Sequence, residues 1–409
     1  MSEFKHKVAI VGIGSTARPG NIHPTKTWKD LVADAAYEAI EDAKGMSPRD
    51  IDGAVIAYHG EGVNEQGGIG GSVADLLGIA PAPVFPHCMN CAGGAVALNT
   101  GWDMVASGKY KRVLVMGFDK EGDNINYTEN INISFDTEYD YVFGFRHRDG
   151  FELMSNYYMQ HYGYTDYKAY GAHSWQCHWY GRRNPKATTY GKPMPARESL
   201  EHPGSCYSIM GEGCAAAVLV PAEDARLYTD KPVYLDGIAL ATTSHYIAHR
   251  IGEPPMGPAF PAGLVREETY GQSVALIAAA RKAYEMARIT AKDIDLAQVY
   301  DLCAGAFWQV EDLGIAEFGK GAQFFIDGGA AVDGRCPINT YGGNIAYGHA
   351  SGADGLNQVV ENVIQLRGDA GERQVKDAKC AVASCVGSAY AHLTVAVLTN
   401  GKFQRGEEV

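Results

Sequence analysis

Ala39-Ile40-Glu41-Asp42-Ala43-Lys44-Gly45-Met46-Ser47-Pro48-Arg49-Asp50-Ile51-Asp52 recurs, one residue shorter, as Ala283-Tyr284-Glu285-Met286-Ala287-Arg288-Ile289-Thr290-Ala291-Lys292-Asp293-Ile294-Asp295. In each copy a helix end passes through an Asp-Ile-Asp turn into a short apolar run, Ala54–Tyr58 in the first and Ala297–Tyr300 in the second. Such runs read as buried strands. Before the first copy stands Val8-Ala9-Ile10-Val11-Gly12-Ile13-Gly14, and before the second its echo, Val233-Tyr234-Leu235-Asp236-Gly237-Ile238-Ala239-Leu240. Helix, turn and both strands in the same order point to an internal duplication. The expected fold class is α/β, built as two similar halves, 1–230 and 231–409, that divide near Lys231.

The helix of the first copy spans about Thr27 to Lys44, with Trp28, Leu31, Val32, Ala35, Ala36, Ala39 and Ile40 on one face. Further on, His87-Cys88-Met89-Asn90-Cys91-Ala92-Gly93-Gly94-Ala95-Val96-Ala97-Leu98 leads through Gly108-Lys109-Tyr110-Lys111-Arg112 to Val113-Leu114-Val115-Met116-Gly117. This reads as loop, buried helix and buried strand. Cys91 then sits at a helix N-terminus, where unpaired N–H groups and the macrodipole favour the nucleophilic thiolate. The bland alternative is a small buried core cysteine. Gly12-x-Gly14 lacks a third glycine at dinucleotide spacing, and Pro19 interrupts the helix such a site requires.

At 409 residues the chain exceeds a single core. Its net charge of −13 argues against a nucleic-acid footprint, so any anionic ligand must meet a local basic patch. Val8–Ile13 is too short for a membrane span or signal segment, which makes the cytoplasm the expected location. The nine cysteines show no disulfide framework. Cys88-x-x-Cys91 finds no partner pair at zinc spacing, and no metal is expected. A polar, aromatic insertion from about Glu121 to Pro203 has few clean periodic runs and is expected to cover a pocket. Glu253–Pro261 is too rich in proline for regular structure.

Two stretches of the second half complete the pattern. Asn339-Thr340-Tyr341-Gly342-Gly343-Asn344-Ile345-Ala346-Tyr347-Gly348-His349-Ala350-Ser351-Gly352-Ala353-Asp354-Gly355 holds a histidine on glycine-rich backbone before an apolar helix to Leu366. Ala381-Val382-Ala383-Ser384-Cys385-Val386-Gly387 is a buried strand ending in cysteine and glycine. A pseudo-twofold axis would make the helices after Cys91 and His349 equivalent.

Asn90-Cys91, Gly342-Gly343 with Gly348-His349 and Ser351-Gly352, and Cys385-Val386-Gly387 resemble, in this order, the thiolases, in particular their sterol-carrier-protein-type and archaeal-type branch. The resemblance covers nearly the whole chain. It implies the five-layered αβαβα thiolase fold of two halves, with a covering loop insertion. It implies that Cys91 carries the acyl group, that His349 activates it and contributes to an oxyanion site, and that Cys385 exchanges a proton with the α-carbon of the second substrate. A coenzyme A thioester is then substrate, with no bound cofactor. These roles are what ping-pong Claisen chemistry needs.

A narrower likeness lies in Tyr58-His59-Gly60-Glu61-Gly62, Glu138-Tyr139-Asp140-Tyr141 with Gly144 and His147, Tyr300-Asp301-Leu302 and Gly343-Asn344-Ile345. These resemble the thiolase-like subunits of bacterial phloroglucinol acetyltransferases, which move acetyl groups between phenolic carbons without CoA. That likeness implies an acceptor pocket lined by His59, Tyr127, His147, Tyr300 and Ser351. Tyr300-Asp301 replaces the Asn or His followed by an acidic residue that thiolases usually carry, and Ala350 replaces a common proline. Both favour the phenolic reading, whereas Cys385, needed for an α-carbanion, favours the thiolase reading. Thiolase-like retro-aldol lyases use tyrosines, for which Tyr300 and Tyr347 are candidates. The resemblance further implies a homodimer or tetramer, an OB-fold zinc-binding partner and a synthase-like subunit.

Overall fold

The computed structural model describes residues 5–64, 66–123, 132–194, 206–245 and 271–404, with backbone alone at 63, 147 and 148. Its strands are β1 (Val8–Ser15), β2 (Gly53–Tyr58), β3 (Val84–Cys88), β4 (Val113–Asp119), β5 (Gly213–Pro221), β6 (Val233–Thr242), β7 (Leu296–Val299), β8 (Cys380–Gly387) and β9 (His392–Asn400). The helices that matter here are α1 (Trp28–Asp42), α2 (Gly93–Ala106), α3 (His147–His161), α4 (Lys168–Gly181), α5 (Val274–Ala287) and α6 (Asp354–Arg367).

The strands follow the order β3-β2-β4-β5-β1-β6-β9-β8-β7. The first half therefore runs 3-2-4-5-1. The second mirrors it: Ile338, bridged in parallel to Ala297, stands where β3 stands, followed by β7, β8, β9 and β6. The halves meet where Ala9 and Ile10 pair with Tyr234 and Val233.

The duplication extends to single contacts. β1 bulges between Ile10 and Gly12, and β6 between Leu235 and Gly237. A Cβ on Gly12 would lie 2.0 Å from the Ala39 carbonyl oxygen, and one on Gly237 would lie 2.1 Å from that of Ala283. Both positions need glycine, because each bulge presses backbone on backbone at the residue that opens each repeat. The last aspartate of each Asp-Ile-Asp is a backbone latch. Asp52 Oδ1 accepts from Lys111 N at 3.1 Å and Arg112 N at 2.9 Å, at the entry to β4. Asp295 Oδ2 accepts from Lys379 N at 2.7 Å and Cys380 N at 2.9 Å, at the entry to β8.

Three apolar clusters give the layers. Leu31, Val32, Ala36 and Ile40 of α1 pack on Ala54, Ile56 and Leu114 of the first half. Leu276, Ala279 and Ala283 of α5 pack on Val299, Val395 and Val397 of the second. Between them, Ala97 and Leu98 of α2 and Leu356, Val359 and Val363 of α6 contact strands of both halves. Burying each such Leu, Ile or Val contributes roughly 1.5–3 kcal/mol. Outer helix, strands, paired central helices, strands and outer helix make five layers. The capping box of Thr27 with Asp30 starts α1 where the sequence places it.

The insertion differs from expectation. It contains two long helices, α3 and α4, rather than irregular cover. Phe151, Met154, Tyr158 and Met159 of α3 join the same cluster as Tyr300, Phe307 and Trp308, so the insertion is continuous with the second-half core. Glu253–Pro261 lies outside the described residues.

Candidate active site

Cys91 occupies a single 3-10 turn, Asn90–Ala92, that runs directly into α2. The turn is held from both halves. Asn90, at φ +49°, donates from Nδ2 to His59 Nε2 at 3.1 Å and accepts from the Ser388 hydroxyl. Close approach of the central helices depends on glycine here: a Cβ on Gly94 would lie 2.8 Å from Gly352 O.

His349 is fixed through its backbone. Its N–H donates to Ile209 O at 2.8 Å, and its carbonyl accepts from Gly211 N at 2.9 Å. The ring Nε2 lies 3.7 Å from Cys91 Sγ, 3.1 Å from the Tyr300 hydroxyl and 3.1 Å from Asp354 Oδ2. Ser351 Oγ is 3.2 Å from Cys91 Sγ and 2.8 Å from His59 Nδ1. With Asn90 donating to Nε2, neutral His59 carries its proton on Nδ1 and donates to Ser351, which leaves the Ser351 proton for Cys91. From β8, the Cys385 thiol donates to the Cys91 carbonyl oxygen at 3.1 Å.

Electrostatics set the protonation of these groups. Burial pushes the Cys91 thiol well above its ordinary pKa, as does the nearby Asp354 charge, while hydrogen bonds from Ser351 and Tyr300 pull it down. Burial therefore opposes the thiolate that the helix N-terminus favours. Cys385 and Tyr300 are also raised, chiefly by burial. Asp119, at the end of β4, is pushed by burial to about 7 although it accepts from Gly352 N and, at 3.1 Å, from His59 N. The Gly352 bond ties the first half to the loop that carries Ser351, and the His59 bond joins the ends of β2 and β4.

Tyr300 ends β7, and Phe151 of the insertion packs against its ring with centroids 5.5 Å apart. The neighbouring Asp301 accepts from Asn344 N at 2.7 Å and Cys177 Sγ at 3.4 Å, with His173 Nε2 at 3.6 Å. His173, Cys177 and Asp301 cluster as metal ligands would. However, Gly305 N donates to His173 Nδ1 at 3.3 Å, so a neutral ring carries its proton on Nε2 and has no lone pair left for a cation. The trio instead anchors the Tyr300 loop to the Gly343-Asn344 turn.

Of the residues singled out in the sequence, Cys91, His349, Cys385, His59, Tyr300 and Ser351 converge in one buried cluster. Tyr127 lies outside the described residues, and His147 is described only as the backbone start of α3. Tyr347 stands apart: its hydroxyl reaches Ser15 Oγ at 3.4 Å, and its ring packs on Tyr341. The sequence reading missed Asp354, Asp119 and Glu121, whose Oε1 lies 3.4 Å from His59 Nδ1.

A buried thiol between paired central helices, beside a histidine and a second thiol from the other half, presents the kind of group set that acyl transfer through a thiol uses. Residues 264–400 match the family model described as thiolase C-terminal domain-like. The acetyl-CoA acetyltransferase of Methanothermobacter thermautotrophicus is 32% identical over 393 residues, covering 93% of this chain and 96% of that protein. Sterol carrier protein 2 of Bos taurus is 26% identical over 94% of this chain and 71% of its own length. The solved structure titled Ltp2-ChsH2(DUF35) aldolase superposes with a TM-score of 0.79 at 21% identity, covering 98% of this chain and 100% of that one. The chain belongs to the thiolase superfamily. It is an acyltransferase of the thiolase class.

Proposed function

We propose that this acyltransferase makes or cleaves a β-ketoacyl-CoA through an acyl-Cys91 intermediate. The observation that carries the reading is Cys385, whose thiol reaches the Cys91 carbonyl at 3.1 Å while Cys91 Sγ faces His349 and Ser351. Plain acyl exchange needs one thiol; forming an α-carbanion needs a second acid/base beside it. In the first half-reaction Cys91 passes its proton to His349 and attacks the thioester carbonyl, the bond from the acyl carbon to the CoA sulfur breaks, and CoA leaves as a thiolate that takes up the Cys385 proton. In the second, the Cys385 thiolate takes a proton from the α-carbon of the acceptor, and the carbanion attacks the acyl-Cys91 carbonyl and expels the Cys91 sulfur, which regains its proton from His349. Hydrogen-bond donors on His349 and Ser351 stabilise the developing negative charge. Coenzyme A thioesters are the substrates, and no bound cofactor takes part. Incubation of Cys91→Ala with acyl-CoA should give neither acyl-enzyme by mass spectrometry nor turnover, with unchanged circular dichroism. Turnover in that variant overturns the reading.

Tyr300 favours a second reading, a retro-aldol lyase, because its hydroxyl lies 3.1 Å from His349 Nε2. Such chemistry leaves Cys91 unacylated, so trapping of acyl-Cys91 during turnover decides against it. CoA-independent transfer between phenols predicts acyl exchange between aromatic donors with CoA removed. The proposal extends to a homo-oligomer, an OB-fold zinc partner and a synthase-like subunit. Similarity to a structure whose title pairs Ltp2 with ChsH2(DUF35) supports a partner. Sedimentation of the chain alone and after mixing with each candidate subunit tests these assemblies. Among the described residues no helix is long and apolar enough to cross a membrane. A cytoplasmic location belongs to the same proposal, tested by fractionation.

A further inference from the structure

Asp354 opens α6, is fully buried, and takes no part in the steps above. Its Oδ2 lies 3.1 Å from His349 Nε2, the same ring nitrogen that lies 3.7 Å from Cys91 Sγ. Both carboxyl oxygens receive donors. Ala350 N–H reaches Oδ1 at 3.2 Å, and Asn344 Nδ2 reaches Oδ2 at 3.3 Å. Asn344 is oriented by the Tyr341 hydroxyl, which donates to its Oδ1 at 3.3 Å. Burial pushes the Asp354 carboxyl well above its ordinary pKa, and these two donors pull it back toward the ionised form; ionised, and in hydrogen-bond contact with a ring nitrogen, it favours a proton on that nitrogen. We propose that Asp354 is a positioning residue that makes His349 the imidazolium partner of a Cys91 thiolate. In that state the S–H bond of Cys91 is broken and an N–H bond is formed on His349. The proton stays within the site, and the cation stands between two anions.

The proposal rests on Cys91 as the nucleophile. Asp354 acts on Cys91 in two opposite senses. Directly, it is a like charge that opposes the thiolate; through His349, it stabilises the cation that favours it. The second prevails in the proposed state because the carboxylate touches Nε2 directly; at the sulfur, the Ser351 and Tyr300 hydroxyls act against its repulsion. The other titratable groups facing this set are Asp119 and Glu121 after β4, His59 after β2, Tyr300 and Asp301 after β7, Tyr341, and Cys385 on β8. A change at Asp354 alone leaves them in place.

The two senses predict opposite signs. The rate of Cys91 alkylation by iodoacetamide, followed at that peptide by mass spectrometry, is measured against pH. In Asp354→Asn the midpoint should rise by about one pH unit or more, slowing alkylation about tenfold near neutrality. In a His349→Ala background the same substitution should leave the midpoint unchanged or lower it. An unchanged or lowered midpoint in Asp354→Asn alone overturns the proposal. Should that variant not fold, histidine 15N NMR of the wild-type protein decides. His349, assigned with His349→Gln, should keep both ring nitrogens protonated at pH 8, and a neutral ring there overturns the proposal. Failure of the thiolase reading looks different: Cys91 alkylates with the wild-type profile yet is never acylated by an acyl-CoA.

Discussion

In the first half Ala57 on β2 pairs with Gly117 on β4, and in the second the same register sets Tyr300 after β7 beside Cys385 on β8. The neighbouring helix starts pair likewise, Cys91 two residues before α2 and Gly352 two residues before α6. A Cβ on Gly117 would lie 2.2 Å from Gly352 O, whereas Cys385 Sγ donates to Cys91 O at 3.1 Å. At the strand ends the roles reverse: Asp119 of β4 carries the bridging carboxylate, and its counterpart Gly387 lets the backbone approach Ala92. Each pair puts a reactive or bridging side chain in one half and a small residue in the other. Two similar halves thus make one site rather than two.

The largest effects should follow substitution of the two cysteines. Cys91→Ala should lower turnover by on the order of 10⁴-fold or more. Cys385→Ala should leave acylation of Cys91 intact while slowing carbon–carbon bond formation by roughly 10²–10⁴-fold. Single-turnover acylation measured beside steady-state condensation separates them, and equal losses in both steps would break the division of labour between the halves.

Asp119 gives a pH signature. Its folded pKa of about 7 stands above the ordinary aspartate value of 3.8, so the folded state binds the extra proton between them. Its contribution to stability is therefore full below about pH 4 and is lost as pH rises through about 7, amounting to roughly a few kcal/mol. Thermal unfolding of Asp119→Asn should lack this loss, so the wild type should fall relative to the variant from pH 4 to 7. A constant difference across that range contradicts the assignment.

Gly117→Ala forces a Cβ against the Gly352 carbonyl and should cost about 1–3 kcal/mol, read by denaturant unfolding. The latches test the symmetric part of the molecule. Asp52→Ala and Asp295→Ala should each cost about 1 kcal/mol and should add in the double variant. A cost confined to one half would sharpen the contrast between them.

The duplication was legible because β1, α1, the Asp-Ile-Asp turn and β2 keep side-chain patterns that β6, α5 and β7 repeat. The insertion was not. α4 buries His173, Ser174, Gln176 and Cys177 together with Tyr180, so its inward face is polar and leaves no apolar stripe in the sequence. Cys91, His349 and Cys385 were marked out by the order of their motifs and its resemblance to the thiolases, whereas their small-residue surroundings alone left Cys91 and Cys385 open to a core role. Asp354 was not, because an aspartate in the first turn of a helix is ordinary composition, and only the folded loop brings His349 back onto it.

The Gly117 contact bears on how such a site is encoded. Were the molecule an assembly of two identical half-chains, a cysteine at the Cys385 position would appear at the Gly117 position too, where the Gly352 carbonyl leaves no room for it. A thiol at the Cys385 position is therefore compatible only with two halves whose sequences differ at that place, which divergence after duplication supplies and an assembly of identical half-chains does not.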